Sequence, residues 1–150
     1  GAPLAGAPFA GVTAVLGRRW WLVPAPSRAG AARARGGQHV LALVHPLAER
    51  LARECVAAGG SVGVGEALRM SRGGRDSVGL DAAARAANLC GRVLVRPSAL
   101  PPPGVSVLLV DDVLTTGATL AACASALNAA GVAVGGGLVL CDARGSTLRR

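Results

Sequence analysis

The stretch VLLVDDVLTTGATL, Val107 to Leu120, joins an unbroken apolar run, two adjacent carboxylates and a loop of small hydroxyl-bearing residues. Val107, Leu108, Leu109 and Val110 have the composition of a short strand covered on both faces, the pattern of a parallel sheet. Asp111 and Asp112 come at the carboxyl end of that run, which is where open α/β sheets bind ligands. Paired carboxylates there can accept hydrogen bonds from neighbouring hydroxyls, such as the 2′ and 3′ groups of a ribose. Thr115, Thr116, Gly117, Ala118 and Thr119 follow. Small residues let the backbone approach an anion, hydroxyls add donors, and the loop opens a helix whose first amides attract phosphate. Taken singly, Asp-Asp could be an exposed turn and Thr-Thr-Gly a helix cap. Taken together, strand, acid pair and loop fit a sugar phosphate. A Walker-type loop is excluded because the chain contains no lysine.

Outward from this stretch, apolar strands alternate with helical patterns, which predicts a mostly parallel α/β sheet flanked by helices. Arg19 to Val23 reads as a strand ending at Pro24-Ala25-Pro26, since proline cannot continue a central ladder. Val40, Leu43, Val44, Leu47, Leu51 and Cys55 form a helical stripe that Pro46 should kink or split, with Gly59-Gly60 ending it. Val62 to Leu68 reads as one further strand, weakened by Gly63 and Gly65, and Met70 to Ser77 as a mobile loop. Asp81 caps a helix to Asn88 or Leu89, Gly91 stops it, and Arg92 to Val95 resumes as a strand before the turn at Pro101 to Gly104. Leu120, Cys123, Ala124 and Leu127 are the buried stripe of a helix that Gly131 terminates, and Val132 to Cys141 is the last strand.

At 150 residues the chain is the length of one domain with a real core. No apolar run is long enough to cross a bilayer. The start, Gly1 to Val15, lacks the basic leading region of a secretory signal, and the first residue is not Met; a fragment or processed chain in a reducing cytoplasm is the expectation. Cys55, Cys90, Cys123 and Cys141 are isolated in sequence and are read as buried, reduced thiols rather than a disulfide or metal set. His39 and His45 lie six residues apart, which matches neither spacing that aligns ligands on a helix face. No metal ligand is assigned to the protein. The aromatic residues, Phe9, Trp20 and Trp21, all precede the first expected binding loop, and the two tryptophans read as core or partner contacts.

Val107 to Leu120 resembles the phosphoribosyl-diphosphate (PRPP) motif of type I phosphoribosyltransferases. Within that group the chain is most similar to the ComF family. Leu22-Val23-Pro24-Ala25-Pro26 resembles its Val-Pro-x-Pro strand end, and Arg33-Ala34-Arg35-Gly36-Gly37-Gln38 its Arg-x-Arg-Gly-x-x-Gln segment. Ser77-Val78-Gly79-Leu80 with Arg85, Asn88 and Leu89 resembles its Val-Gly-Leu block. Two departures stand out: nothing before Leu22 matches the family's cysteine-rich zinc module, which this member either lacks or has lost, and Gly37 stands where an aromatic residue is common.

The resemblance implies a single type I phosphoribosyltransferase-like domain that binds PRPP and transfers or releases the ribosyl 5-phosphate group with loss of diphosphate. The acceptor is unassigned. Purine salvage is disfavoured, because Thr115 stands where some purine-specific relatives carry an acidic base and no aromatic hood follows the motif. Asp111 and Asp112 are the expected ribose contacts, Thr115 to Thr119 the phosphate cradle, and Arg28, Arg72 and Arg75 the cations for departing diphosphate. Mg²⁺ is expected to arrive with PRPP. The alternative implied by ComF membership is a non-catalytic PRPP or single-stranded DNA-binding module linked to DNA uptake, with a partner ATPase.

The net charge of +8 is carried wholly by arginine and suits phosphate-bearing partners in general. Single-stranded DNA is therefore expected to bind weakly and without base preference. Each phosphate neutralised contributes roughly −0.7 to the slope of log affinity against log salt, so a true groove gives about −3 or steeper. Absence of binding at low salt, or a steep slope indifferent to joint Arg33→Ala and Arg35→Ala changes, removes Arg33 to Arg35 as the contact.

Overall fold

The computed structural model describes residues 17–26, 39–71 and 91–143. In chain order these form β1 (Arg19–Pro24), α1 (His39–Ala57), β2 (Ser61–Val64), β3 (Leu68–Met70), β4 (Val93–Val95), a 3₁₀ turn (Pro97–Ala99), β5 (Ser106–Leu114), α2 (Ala118–Ala129) and β6 (Val134–Asp142). Four strands make one sheet in the order β2-β1-β5-β6. All three pairings are parallel, so the expected α/β architecture is observed. β3 and β4 form a separate antiparallel ribbon.

The run of apolar residues in β5 is explained by burial from two sides. Val107 and Leu109 join Val23 of β1 and Ala122, Cys123 and Leu127 of α2 in one core, to which the ribbon adds Leu68 and Val93. Val110 joins Leu22 of β1 and Val40, Val44 and Ala48 of α1 in the other. The side-chain period of two sends alternate residues to opposite layers, so α1 and α2 cover opposite faces of the central strands.

Two departures from the sequence expectation have clear physical reasons. The α1 helix is one continuous element through Pro46, so the proline does not split it. Both Pro46 and Ala42, whose carbonyl loses its partner, are exposed, so that carbonyl is open to solvent rather than buried unpaired. The segment expected as one strand from Val62 to Leu68 is instead divided: β2 ends at Val64 in the main sheet and β3 begins at Leu68 in the ribbon. Gly63 lies opposite Trp21 in the register, and the indole lies across it. A Cβ on Gly63 would fall on the ring carbons Cε3 and Cζ3, and one on Gly65 on the ring nitrogen. The glycines that weaken the strand pattern are therefore seats for Trp21, which packs against the α2-side core.

Of the expected mobile loop at Met70 to Ser77, Met70 ends β3 and the Ser71 amide pairs with Arg92, while residues 72–77 and the expected helix from Asp81 to Leu89 lie outside the described residues. No helix among the described residues is long and apolar enough to cross a membrane. Gly63→Val should lower unfolding free energy by about 1–3 kcal/mol through overpacking against Trp21, measured by urea denaturation. An unchanged midpoint would show that the indole does not occupy this seat in solution.

Candidate functional site

β5 is paired unequally along its two edges. Its ladder with β1 ends at Pro24 opposite Val110, and the amide of Ala25 then donates to the Val110 carbonyl at 2.8 Å. Its ladder with β6 continues through Asp111, Val113 and Leu114, and the Ala143 amide donates to the Leu114 carbonyl at 2.8 Å. Asp111 and Asp112 therefore occupy a notch where β1 has already turned away and β6 still supports the chain. They lie inside a strand that runs to Leu114 rather than after one that ends at Val110. The notch falls between β1, which leads outward to β2, and β5, which leads outward to β6. This reversal of direction is the crevice where open α/β sheets take their ligands.

Adjacent positions in a strand send side chains to opposite faces. Asp111 projects toward the α2 layer and Asp112 toward the α1 layer. Asp111 Oδ1 accepts from the Asp112 amide at 2.9 Å, and Asp112 Oδ1 from the Val113 amide at 2.8 Å. Both residues are only half-buried.

From Leu114 the chain turns through Thr115, Thr116 and Gly117 into α2. Gly117 is the N-cap, with φ 78° and ψ 0°. A Cβ there would meet only Leu114 Cδ1, at an ordinary 3.6 Å, so glycine is needed for the left-handed backbone, which costs other residues about 1–2 kcal/mol. The Thr116 hydroxyl accepts from the Ala118 amide at 3.3 Å, and the first helical bond runs from the Ala121 amide to the Gly117 carbonyl at 2.9 Å. The amides of Thr119 and Leu120 then have no acceptor within the helix, and together with the helix dipole they favour an anion.

A phosphoribosyl transferase domain model matches residues 45–150. The chain belongs to the phosphoribosyl transferase family. No curated protein matches it. In this family member, the structure brings together Asp111, Asp112 and Thr115 to Thr119 on one strand, turn and helix start. Arg28, Arg72 and Arg75 lie outside the described residues, as do the Arg33 to Gln38 and Ser77 to Leu89 blocks of the ComF resemblance.

Beside the notch, on the α1 face, a largely apolar groove runs between Val40, Leu43 and Leu47 of α1 and residues Val110, Asp111 and Leu138 to Leu140 of the sheet. Its apolar side chains offer a phosphate no hydrogen-bond donor. Leu140 and Leu138 are among the large apolar side chains left exposed.

Cys123 lies fully buried on the α2 face. Burial, with the nearby Asp111 carboxylate adding to it, pushes its thiol up to about 12. Burial first and Glu54 second also raise Cys55. Cys141 is exposed, which corrects the expectation of uniformly buried thiols: it lies on an edge strand whose outer positions no described element covers. Cys90 lies outside the described residues.

Because the Cys123 thiol is raised in the folded state, its contribution to stability is full below the unfolded value near 9 and is lost as pH rises toward 12. Native protein treated with iodoacetamide near pH 8 should accordingly be alkylated at Cys141 and spared at Cys55 and Cys123, as read by peptide mass spectrometry. Rapid labelling of Cys123 would contradict its burial beneath Asp111.

Proposed function

We propose that this protein binds PRPP at the carboxyl end of β5 and promotes departure of diphosphate from the anomeric carbon, transferring or releasing the ribosyl 5-phosphate group. The observation that carries this reading is the continuity of the acid notch with the open start of α2. Ribose hydroxyls would meet Asp111 and Asp112, and the 5-phosphate would meet the loop from Thr115 to Thr119 and the first amides of α2. The two ligand chemistries are thus held on one rigid strand and one rigid helix, which fixes the sugar while charge separates.

Arg28, Arg72 and Arg75 are proposed to stabilise diphosphate as it leaves. Mg²⁺ is proposed to arrive on the diphosphate. No group of three metal-ligating side chains gathers among the described residues. The resemblance to ComF supports placing the protein in that branch of the family. A non-catalytic module that binds PRPP or single-stranded DNA in DNA uptake, with a partner ATPase, is the reading to which the same resemblance leads if no turnover occurs.

Calorimetric titration with PRPP and Mg²⁺, followed by an assay for diphosphate release, tests both. Joint Asp111→Asn and Asp112→Asn changes keep size but remove the charges that strengthen hydroxyl contacts, about 1.5–3 kcal/mol each, and PRPP affinity should fall accordingly. Unchanged affinity would remove the ribose assignment. Diphosphate release is expected, and tight binding without release would favour the module.

A further inference from the structure

Arg92 stands immediately before β4, is half-buried, and has a buried Nε with no hydrogen-bond partner among the described residues. The ion pairs among those residues join Arg50 to Glu54 and Arg96 to Glu66, so no described carboxylate answers the Arg92 charge. A guanidinium drawn partly out of water with an unmet N–H is costly, and an anion is the partner that offsets the cost.

The fold also says where such an anion would lie. The Ser71 amide donates to the Arg92 carbonyl at 2.8 Å, which puts Arg92 at one end of the β3–β4 ribbon. At the other end the Arg96 amide donates to the Ala67 carbonyl at 2.7 Å, and the chain passes through the 3₁₀ turn to the amino end of β5. Arg92 is therefore on the side of the ribbon away from that amino end. β4 packs against α2, and Val93, next to Arg92, shares a core with Ala25 at the carboxyl end of β1 and Ala122 in the second turn of α2. The residues flanking the notch and the phosphate loop thus pack in the same core as the neighbour of this unpaired arginine.

We propose that Arg92 is an anion-binding residue of this site, and that its guanidinium holds the diphosphate end of the phosphoribosyl ligand. The proposal rests on the PRPP reading above and adds a cation within the described fold. Arginine suits the task because its planar fork presents paired N–H groups to phosphate oxygens. In the sequence Arg92 reads only as the start of a strand. Its unpaired burial becomes visible once the ribbon is folded.

The test is calorimetry with two separate probes, inorganic diphosphate with Mg²⁺ and ribose 5-phosphate, on wild type, Arg92→Gln, Arg92→Lys and the exposed-charge control Arg69→Gln. Arg92→Gln should bind diphosphate at least about tenfold more weakly while its affinity for ribose 5-phosphate stays unchanged. Arg92→Lys, which keeps charge but loses the fork, should show the same selectivity in smaller degree, and it carries the test if the Gln variant unfolds. Arg69→Gln should alter neither probe. Equal weakening of both probes, or unaltered diphosphate affinity, overturns the role of Arg92. Wild-type protein that binds neither probe overturns the phosphoribosyl reading itself and the Arg92 role with it.

Discussion

The pairing of β5 is the constraint on which the rest of the structure depends. Its first half is held on both edges, by β1 and by β6, and is buried on both faces, so Val107, Leu109 and Val110 have no choice of partner. Its second half keeps only the β6 edge. The change comes at Val110, where Pro24 ends the β1 ladder and the Ala25 amide makes the closing hydrogen bond. Everything chemically interesting follows within a few residues of that point. Two carboxylates can be half-exposed there without leaving the sheet, and the turn to α2 can present open amides without a buried backbone cost.

This arrangement also separates the two kinds of surface a sugar phosphate requires. The acids offer acceptors to hydroxyls, whereas the start of α2 offers donors to phosphate, and the strand and turn between them hold the two apart. The α1-side groove next to the acids is lined mostly by apolar side chains. Beneath the site, the Cys123 thiol is kept neutral by burial and by Asp111, so the core under the acid pair adds no further negative charge.

The central motif was legible because it is local: an apolar run, an acid pair, small residues and a helix start follow one another without needing distant contacts. The α/β class, the strands β1, β4, β5 and β6 and the stripe of α2 were legible for the same reason, through hydrophobic period. What escaped was tertiary. Gly63 and Gly65 looked like weak points of a strand, but their role belongs to Trp21, some forty residues earlier in the chain. Pro46 looked like a helix break, but the carbonyl it leaves unpaired is open to solvent. The extension of β5 to Leu114 depends on β6, and the exposure of Cys141 depends on β6 being at the edge among the described strands. Arg92 gave no sequence signal at all, since a missing partner is a property of the folded surroundings. Arg28, Arg72 and Arg75 rest on sequence reasoning alone.

The central claim is that one strand, turn and helix start hold the ribose and the 5-phosphate together. A crystal structure of the protein with PRPP and Mg²⁺ bound tests it most directly. The account predicts the 5-phosphate against the amides of Thr119 and Leu120 and the Thr115 and Thr116 hydroxyls, with the ribose hydroxyls over Asp111 and Asp112. A ligand seated instead in the apolar groove between α1 and β6, or a phosphate remote from Gly117, would contradict it.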